Sequence, residues 1–309
     1  MKIIQVICRI NYSFFLSADG YVYMCGGNLY KQHIHIEKID IENIVSISCN
    51  YRNILLLDAY GNVYSYEMKN TFVKMDISNI VQIACGNDHT VFLSVDGKVY
   101  GIGDNKYGKL GINDKDVSSI SILPIENVVQ IACGNDHSLF LMKNGDVYGC
   151  GSNRYDQLGI GGIWILNIVK IDISNIVQIA CGSRHTFFLT SDNKIYGCGE
   201  NIWEQMILHK DFVCLYDDIP LENVSYISTG TFHSCFITKN RNVYGYGINV
   251  NNEINIPNDI DTYNIIQVSC GNDHTLFLSA DGYVYGCGSN EYGQLGKGYT
   301  KYSLFSKVL

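Results

Sequence analysis

The pentapeptide Cys-Gly-Asn-Asp-His returns through this chain in a steady phase. It occupies residues 85–89, 133–137 and 270–274, with variants at 181–185 and 229–233 and degenerate copies at 8–12 and 49–53. The last positions of these seven segments are Tyr12, Asn53, His89, His137, His185, His233 and His274, and they stand 41, 36, 48, 48, 48 and 41 residues apart. A period of several tens of residues restricts the chain to a solenoid, an array or a propeller.

Each copy has the same internal order. A short apolar run such as Val128, Val129 and Ile131 precedes the Cys-Gly-x-x-His segment, and a β-rich stretch such as Ser138-Leu139-Phe140-Leu141-Met142 follows it. Next comes a tight turn, Asp19-Gly20, Asp96-Gly97, Asn144-Gly145 or Asp281-Gly282. Asp-Gly and Asn-Gly between apolar runs are strong hairpin signals, because both turn residues must accept positive φ. A Val-Tyr-Gly-x-Gly strand follows, then a loop opening on Asn105, Asn153, Asn201, Asn249 or Asn290. No helical period is sustained, so each copy reads as three or four short strands. One such unit cannot bury both faces of its sheet and must pack on its neighbours.

These readings predict an all-β, seven-bladed β-propeller in which sheet edges are short and protected. The chain starts in phase, with Ile3-Ile4-Gln5-Val6 matching Ile80-Val81-Gln82-Ile83. Its tail, residues 303–309, has the phase of residues 120–124. The expectation is closure by pairing of the N- and C-terminal segments in one blade, which removes free edges. Length alone suggests about two domains at roughly 150 residues each. The repeat overrides that and predicts a single domain over 1–309.

A net charge of −8 without a Lys/Arg run argues against a phosphate-backbone surface, so no direct nucleic-acid partner is expected. No apolar run reaches the 18 residues of a membrane helix, and no membrane partner is expected. Residues 1–16 faintly resemble a signal peptide, but Arg9 and Asn11 interrupt them and the segment fits the repeat as a strand. Of the 12 cysteines, Cys8, Cys49, Cys85, Cys133, Cys181 and Cys270 share one repeat phase. Cys25, Cys150, Cys198 and Cys287 share another, which leaves Cys214 and Cys235. Phased cysteines in strands read as small core residues. That thiol-rich packing suits a reducing, intracellular compartment, cytoplasmic or nuclear.

The phased Cys-x-x-x-His segments look like half a zinc site, yet no second pair stands near each of them to complete a tetrahedral set. A structural imidazole, bonding neighbouring backbone and fixing the turn, is the expectation, and Asp88, Asp136 and Asp273 fall under it. The pairs Gly101/Gly103 and Gly197/Gly199 end strands without opening helices, so they are bulge or close-approach glycines rather than dinucleotide fingerprints. No Ser-His-Asp, paired-carboxylate or Walker arrangement is present. Neither catalysis nor a cofactor is expected.

The unit Ala-Cys-Gly-x-x-His-(Ser/Thr), then Asp-Gly-x-Val-Tyr-Gly-x-Gly-x-Asn-x-Tyr-Gly-Gln-Leu-Gly, resembles the regulator of chromosome condensation repeat family. The likeness is clearest at residues 83–111, 131–159 and 268–296 and extends over about the whole chain. It implies a seven-bladed propeller and one of two functions. The first is a non-catalytic protein-binding scaffold. The alternative is guanine-nucleotide exchange on a Ran-like small GTPase, by tighter binding of its empty form. Departures from the family pattern are the second copy, which reads Tyr64-Ser65-Tyr66-Glu67 in place of Gly-x-Gly, and Asn193 and Arg241 at turn-glycine positions. The longest spacings are all equal, so no copy carries an inserted wedge.

In a repeat protein the shared positions build the scaffold and the differing loops carry function. Tyr30, Tyr107, Tyr155, Trp203 and Tyr292 share one loop phase, and Trp164 stands in an apolar segment of its own. Partner binding is expected at Trp203, Trp164, Tyr155, Tyr107 and Tyr292, with packing between copies as the competing role for the tyrosines and anchoring of an outer strand in the core as that for Trp164.

Overall fold

A computed structural model describes the chain except for residues 28–31, 50–52, 68–70, 113–115, 207 and 209–211. For residues 32, 67, 71, 116 and 212–218 it describes the backbone alone. Tyr30 thus lies outside the described residues, and so does the side chain of Cys214. Among the described residues the one helical element is the short 3-10 turn Ile260–Tyr263. Everything else ordered is strand, as the repeat predicts.

The strands make seven antiparallel sheets, each from strands consecutive in the chain. Sheet 1 holds Ile3–Arg9, Tyr12–Ser17, Val22–Gly27 and Gln32–Ile39. Sheet 2 holds Ile44–Cys49, Ile54–Asp58, Val63–Glu67 and Thr71–Lys74. Sheet 3 holds Ile80–Cys85, His89–Ser94, Val99–Asp104 and Asp116–Ile122. Sheet 4 holds Val128–Cys133, His137–Met142, Val147–Ser152 and Trp164–Ile171. Sheet 5 holds Ile176–Cys181, His185–Thr190, Ile195–Glu200 and Phe212–Ile219. Sheet 6 has three strands, Val224–Thr229, His233–Thr238 and Val243–Gly247. Sheet 7 holds Ile265–Cys270, His274–Ser279, Val284–Ser289 and Tyr302–Lys307.

Two compact units contain them. One comprises Met1–Val45, Trp203–Leu208 and Glu222–Leu309, and so carries sheets 1, 6 and 7. The other comprises Ser46–Ile202 and His209–Leu221, with sheets 2 to 5.

In the first unit the two chain ends meet. Ile3, Val6, Cys8 and Phe15 of sheet 1 share a core with Leu276, Leu278 and Val284 of sheet 7 and Leu295 of the loop after its third strand, and Val308 and Leu309 pack against it. The meeting takes the form of a shared core. Ile3–Arg9 stays in sheet 1 and Tyr302–Lys307 in sheet 7. The sequence explains this: the tail has fourth-strand phase and the start has first-strand phase, so both copies are complete without exchanging a strand.

Second strands carry a buried aromatic in register: Phe15, Phe92, Phe140, Phe188, Phe236 and Phe277 are all fully buried. Each such side chain contributes about 1.5–3 kcal/mol on removal from water. In the second unit, adjacent sheets are also joined by a side chain acting as a backbone mimic. The Gln82 amide donates to the Ile131 carbonyl (3.0 Å) and accepts from the Ile131 N–H (2.9 Å). Gln130 does the same to Ile179 at 3.1 and 2.9 Å. The Gly-x-Gly pairs mark bulges, as expected: register shifts between Gly149 and Gly151 and between Gly101 and Gly103. Gly151 has φ +105°, and a Cβ there would lie 2.4 Å from the Asp136 carbonyl oxygen, so only glycine fits.

Candidate binding loops

The repeated histidines are structural, with a partner the sequence reading did not foresee. His89 Nε2 meets Ser138 Oγ at 2.9 Å, His137 Nε2 meets Thr186 Oγ1 at 3.1 Å, and His233 Nε2 meets Thr275 Oγ1 at 2.9 Å. Each hydroxyl belongs to the next copy. It donates onward to a loop carbonyl, Ser138 to Lys109 (2.7 Å), Thr186 to Gln157 (2.7 Å) and Thr275 to Glu253 (2.6 Å). A hydroxyl that donates to a carbonyl accepts from the imidazole, which assigns the proton to Nε2. The dipeptide His-(Ser/Thr) was the available signal. Burial pushes His137 down to about 4 against a weaker opposing pull from Asp136, so it is neutral at physiological pH.

The second cysteine phase adds a donor to the same carbonyls. Cys150 Sγ lies 3.2 Å from the Lys109 oxygen, Cys198 Sγ 3.3 Å from Gln157 and Cys287 Sγ 3.3 Å from Glu253. Burial pushes these thiols up and keeps the S–H in place. They are more than core filler: they hold the loop of the preceding copy. Among the described residues no cluster of three His, Cys, Asp or Glu has the geometry to hold a metal ion.

Side-chain hydrogen bonds pin those loops. The opening asparagine accepts from a backbone N–H five residues on: Asn105 from Leu110 (2.8 Å), Asn153 from Leu158 (2.8 Å) and Asn290 from Leu295 (2.8 Å). The aromatic two residues after the asparagine is fixed by a buried glutamine two residues further. Gln157 Oε1 accepts from the Tyr155 N–H (3.0 Å), Gln205 from Trp203 (3.0 Å) and Gln294 from Tyr292 (2.9 Å). Copy 3 has Lys109 at the glutamine position. A lysine cannot accept; here Asp104 accepts from the N–H of Lys106, the residue before the aromatic (3.1 Å). Lys109 is buried with its ammonium 2.6 Å from Asp104 and 2.9 Å from Asp136 of the next copy. Burial disfavours its charge, but the two carboxylates outweigh that and raise it above the ordinary lysine value.

The five expected partner-binding residues fall into four settings. In the second unit Trp164 is 40% exposed and stacks on Tyr107, with ring centroids 4.2 Å apart and planes 12° apart. Tyr155 is half-buried beneath the Arg184 guanidinium, 4.5 Å from its ring centre, and Arg184 also pairs with the buried Glu200 at 3.2 Å. In the first unit Trp203 is 43% exposed and meets Phe232 edge-on at 6.2 Å, while Tyr292 is half-buried. The residues met by Tyr155 and Trp203 occupy one repeat position, the one before the histidine, where other copies have Asp88, Asp136 and Asp273. The tyrosines therefore pack and remain partly accessible, and both tryptophans present apolar surface to solvent. Sequence reasoning missed the Asn and Gln holders, although Asn-x-aromatic-x-Gln was there to be read. A 580 Å³ cleft lined by Asp172, Asn175, Thr190, Asp192 and Tyr196 holds none of these residues.

Seven small sheets built from consecutive antiparallel strands define a seven-bladed β-propeller, and within each unit side chains reach from one copy to the next. The chain belongs to the Regulator of chromosome condensation (RCC1) repeat family, whose repeat models match residues 80–109, 128–157, 176–201, 224–253 and 265–294, and 96–141. No curated protein sequence matches it significantly. Among solved structures, Prp20p from Saccharomyces cerevisiae, described with its binding properties to Gsp1p and histones, is 22% identical with a TM-score of 0.83. That match covers 96% of this chain and 87% of Prp20p. The same yeast protein bound to Kap60 matches at 21% identity and TM-score 0.83, over 95% and 85% of the two chains. Human WBSCR16 is 19% identical with a TM-score of 0.77, over 90% and 85%. At these identities the likeness is one of fold.

Proposed function

We propose that this chain is a non-catalytic protein-binding propeller, an interaction scaffold acting as one domain over 1–309 inside the cell. Its partner contacts are Trp164 with Tyr107 and Tyr155 in one unit, and Trp203 and Tyr292 in the other. The observation that carries this reading is two exposed tryptophans beside loops whose backbones are fixed by buried Asn and Gln side chains. Rigid aromatic anchors lose little entropy on binding and are enriched among the residues that dominate interfaces. The alternative, exchange on a Ran-like small GTPase, rests on the fold shared with Prp20p.

Release of a fluorescent guanine nucleotide from a panel of small GTPases separates the two. The scaffold reading expects no acceleration by the full chain at micromolar concentration. Acceleration of about tenfold or more for any GTPase, lost in Trp164→Ala or Trp203→Ala, replaces it with the exchange reading.

A further inference from the structure

Among the described residues, sheet 6 alone lacks a fourth strand. In sheet 4 the Met142 N–H bonds the Asp146 carbonyl and the Ser152 N–H bonds Asp136, so the even residues of Val147–Ser152 face the second strand. By antiparallel alternation Val147, Gly149 and Gly151 face the fourth, opposite Ile171, Val169 and Ile165. Sheet 6 repeats the pattern: the Thr238 N–H bonds the Asn242 carbonyl and the Ile248 N–H bonds Phe232. Val243, Gly245 and Gly247 therefore face outward, and among the described residues no backbone hydrogen bond engages them on that side.

Gly245 and Gly247 are half-buried and Val243 is buried; under fourth strands Gly149, Gly151, Gly197, Gly199, Gly286 and Gly288 are buried and Gly103 is half-buried. The core beneath this edge is already filled. A Cβ on Gly245 would lie 2.9 Å from Ile254 Cβ and 3.0 Å from Ile256 Cδ1, and Ile260 of the 3-10 turn is buried. What is missing is backbone pairing rather than apolar volume. Exposed edges are usually guarded by charge, proline or a bulge. Val243-Tyr244-Gly245-Tyr246-Gly247 has neither charge nor proline.

We propose that the outer edge of Val243–Gly247 is a docking site for an extended peptide strand of a partner protein, which completes the sheet in the antiparallel sense. Sheet 4 shows what fits: a segment the length of residues 165–171, backbone-paired at the positions opposite 243, 245 and 247. Antiparallel entry places the peptide's C-terminal end beside the exposed Lys239 and Arg241. The occupant therefore has an uncharged centre and an acidic C-terminal end. The Gly247 end adjoins Phe232, which Trp203 meets; recognition here runs through backbone pairing and not through the aromatic side chains, so the two proposals fail independently.

The test is amide hydrogen exchange on the full chain, with and without a synthetic peptide of sequence 165–171 carrying Lys170→Glu. In the free protein the Val243, Gly245 and Gly247 amides should exchange at least tenfold faster than those of Tyr244 and Tyr246. Saturating peptide should slow those three about tenfold, and the same peptide with Val169→Pro should not. Three outcomes overturn the proposal: slow exchange at 243, 245 and 247 without peptide; no slowing by the peptide; or slowing that follows protein concentration alone, which assigns the edge to a second copy.

Discussion

His137 shows how a residue that looks chemical becomes structural. Its Nε2–H is committed to Thr186, and its ring lies against Gly134, where a Cβ would come within 2.0 Å of Cε1. Burial disfavours the charged imidazole and holds His137 at about 4 and His274 at about 3. An unfolded histidine titrates near 6.5. Below that pH the unfolded chain binds protons that the folded chain refuses, so stability falls as pH drops from about 6.5, to about 4 for the part owed to His137 and to about 3 for the part owed to His274. The shift at His137 amounts to roughly 3 kcal/mol over that window. Urea midpoints measured from pH 7 to pH 4.5 should fall for the native chain and fall less steeply for His137→Gln. Equal slopes for the two proteins would show that His137 is not a source of the acid sensitivity.

At the level of strands and turns, the repeat made most of the architecture legible. Hairpin turns, Gly-x-Gly bulges and seven copies follow from local chemistry, since positive φ and close approach each demand particular residues. Two features were not legible. Gln130 reads as an ordinary polar residue in Val-Val-Gln-Ile, because its two bonds go to Ile179 on another sheet, 49 residues away. The missing fourth strand of sheet 6 was also hidden. Copies 1 and 6 both precede a spacing of 41, yet copy 1 has four strands. Gln130→Ala forfeits both bonds and should cost roughly 2 kcal/mol. Gly151→Ala should cost about 2–4 kcal/mol from its φ and the clash with Asp136. Gly161→Ala, where a Cβ meets nothing within 4 Å, should change little. Denaturation midpoints rank the three, and a Gly151→Ala protein as stable as Gly161→Ala would contradict the register given for sheet 4.

The whole molecule divides its residues between holding and presenting. Histidine, hydroxyl, thiol, Asn and Gln positions recur because each holds a loop or the next copy in place. Trp164, Trp203, Arg184 and Phe232 differ between copies, and they lie at the loops or directly against them. The sequence singled out both tryptophans. It could not say that Trp164 rests on Tyr107 instead of entering the core, since that contact joins residues 107 and 164 of different sheets. No helix of the described residues is long and apolar enough to cross a membrane. The most direct test of the binding role compares immobilised native chain with Trp164→Ala and Trp203→Ala, by quantitative mass spectrometry of captured proteins alongside thermal melting. The account predicts melting within a few degrees of the native chain and roughly tenfold weaker capture of the same partners. Unchanged capture by well-folded variants, or unfolding of either variant, would contradict it.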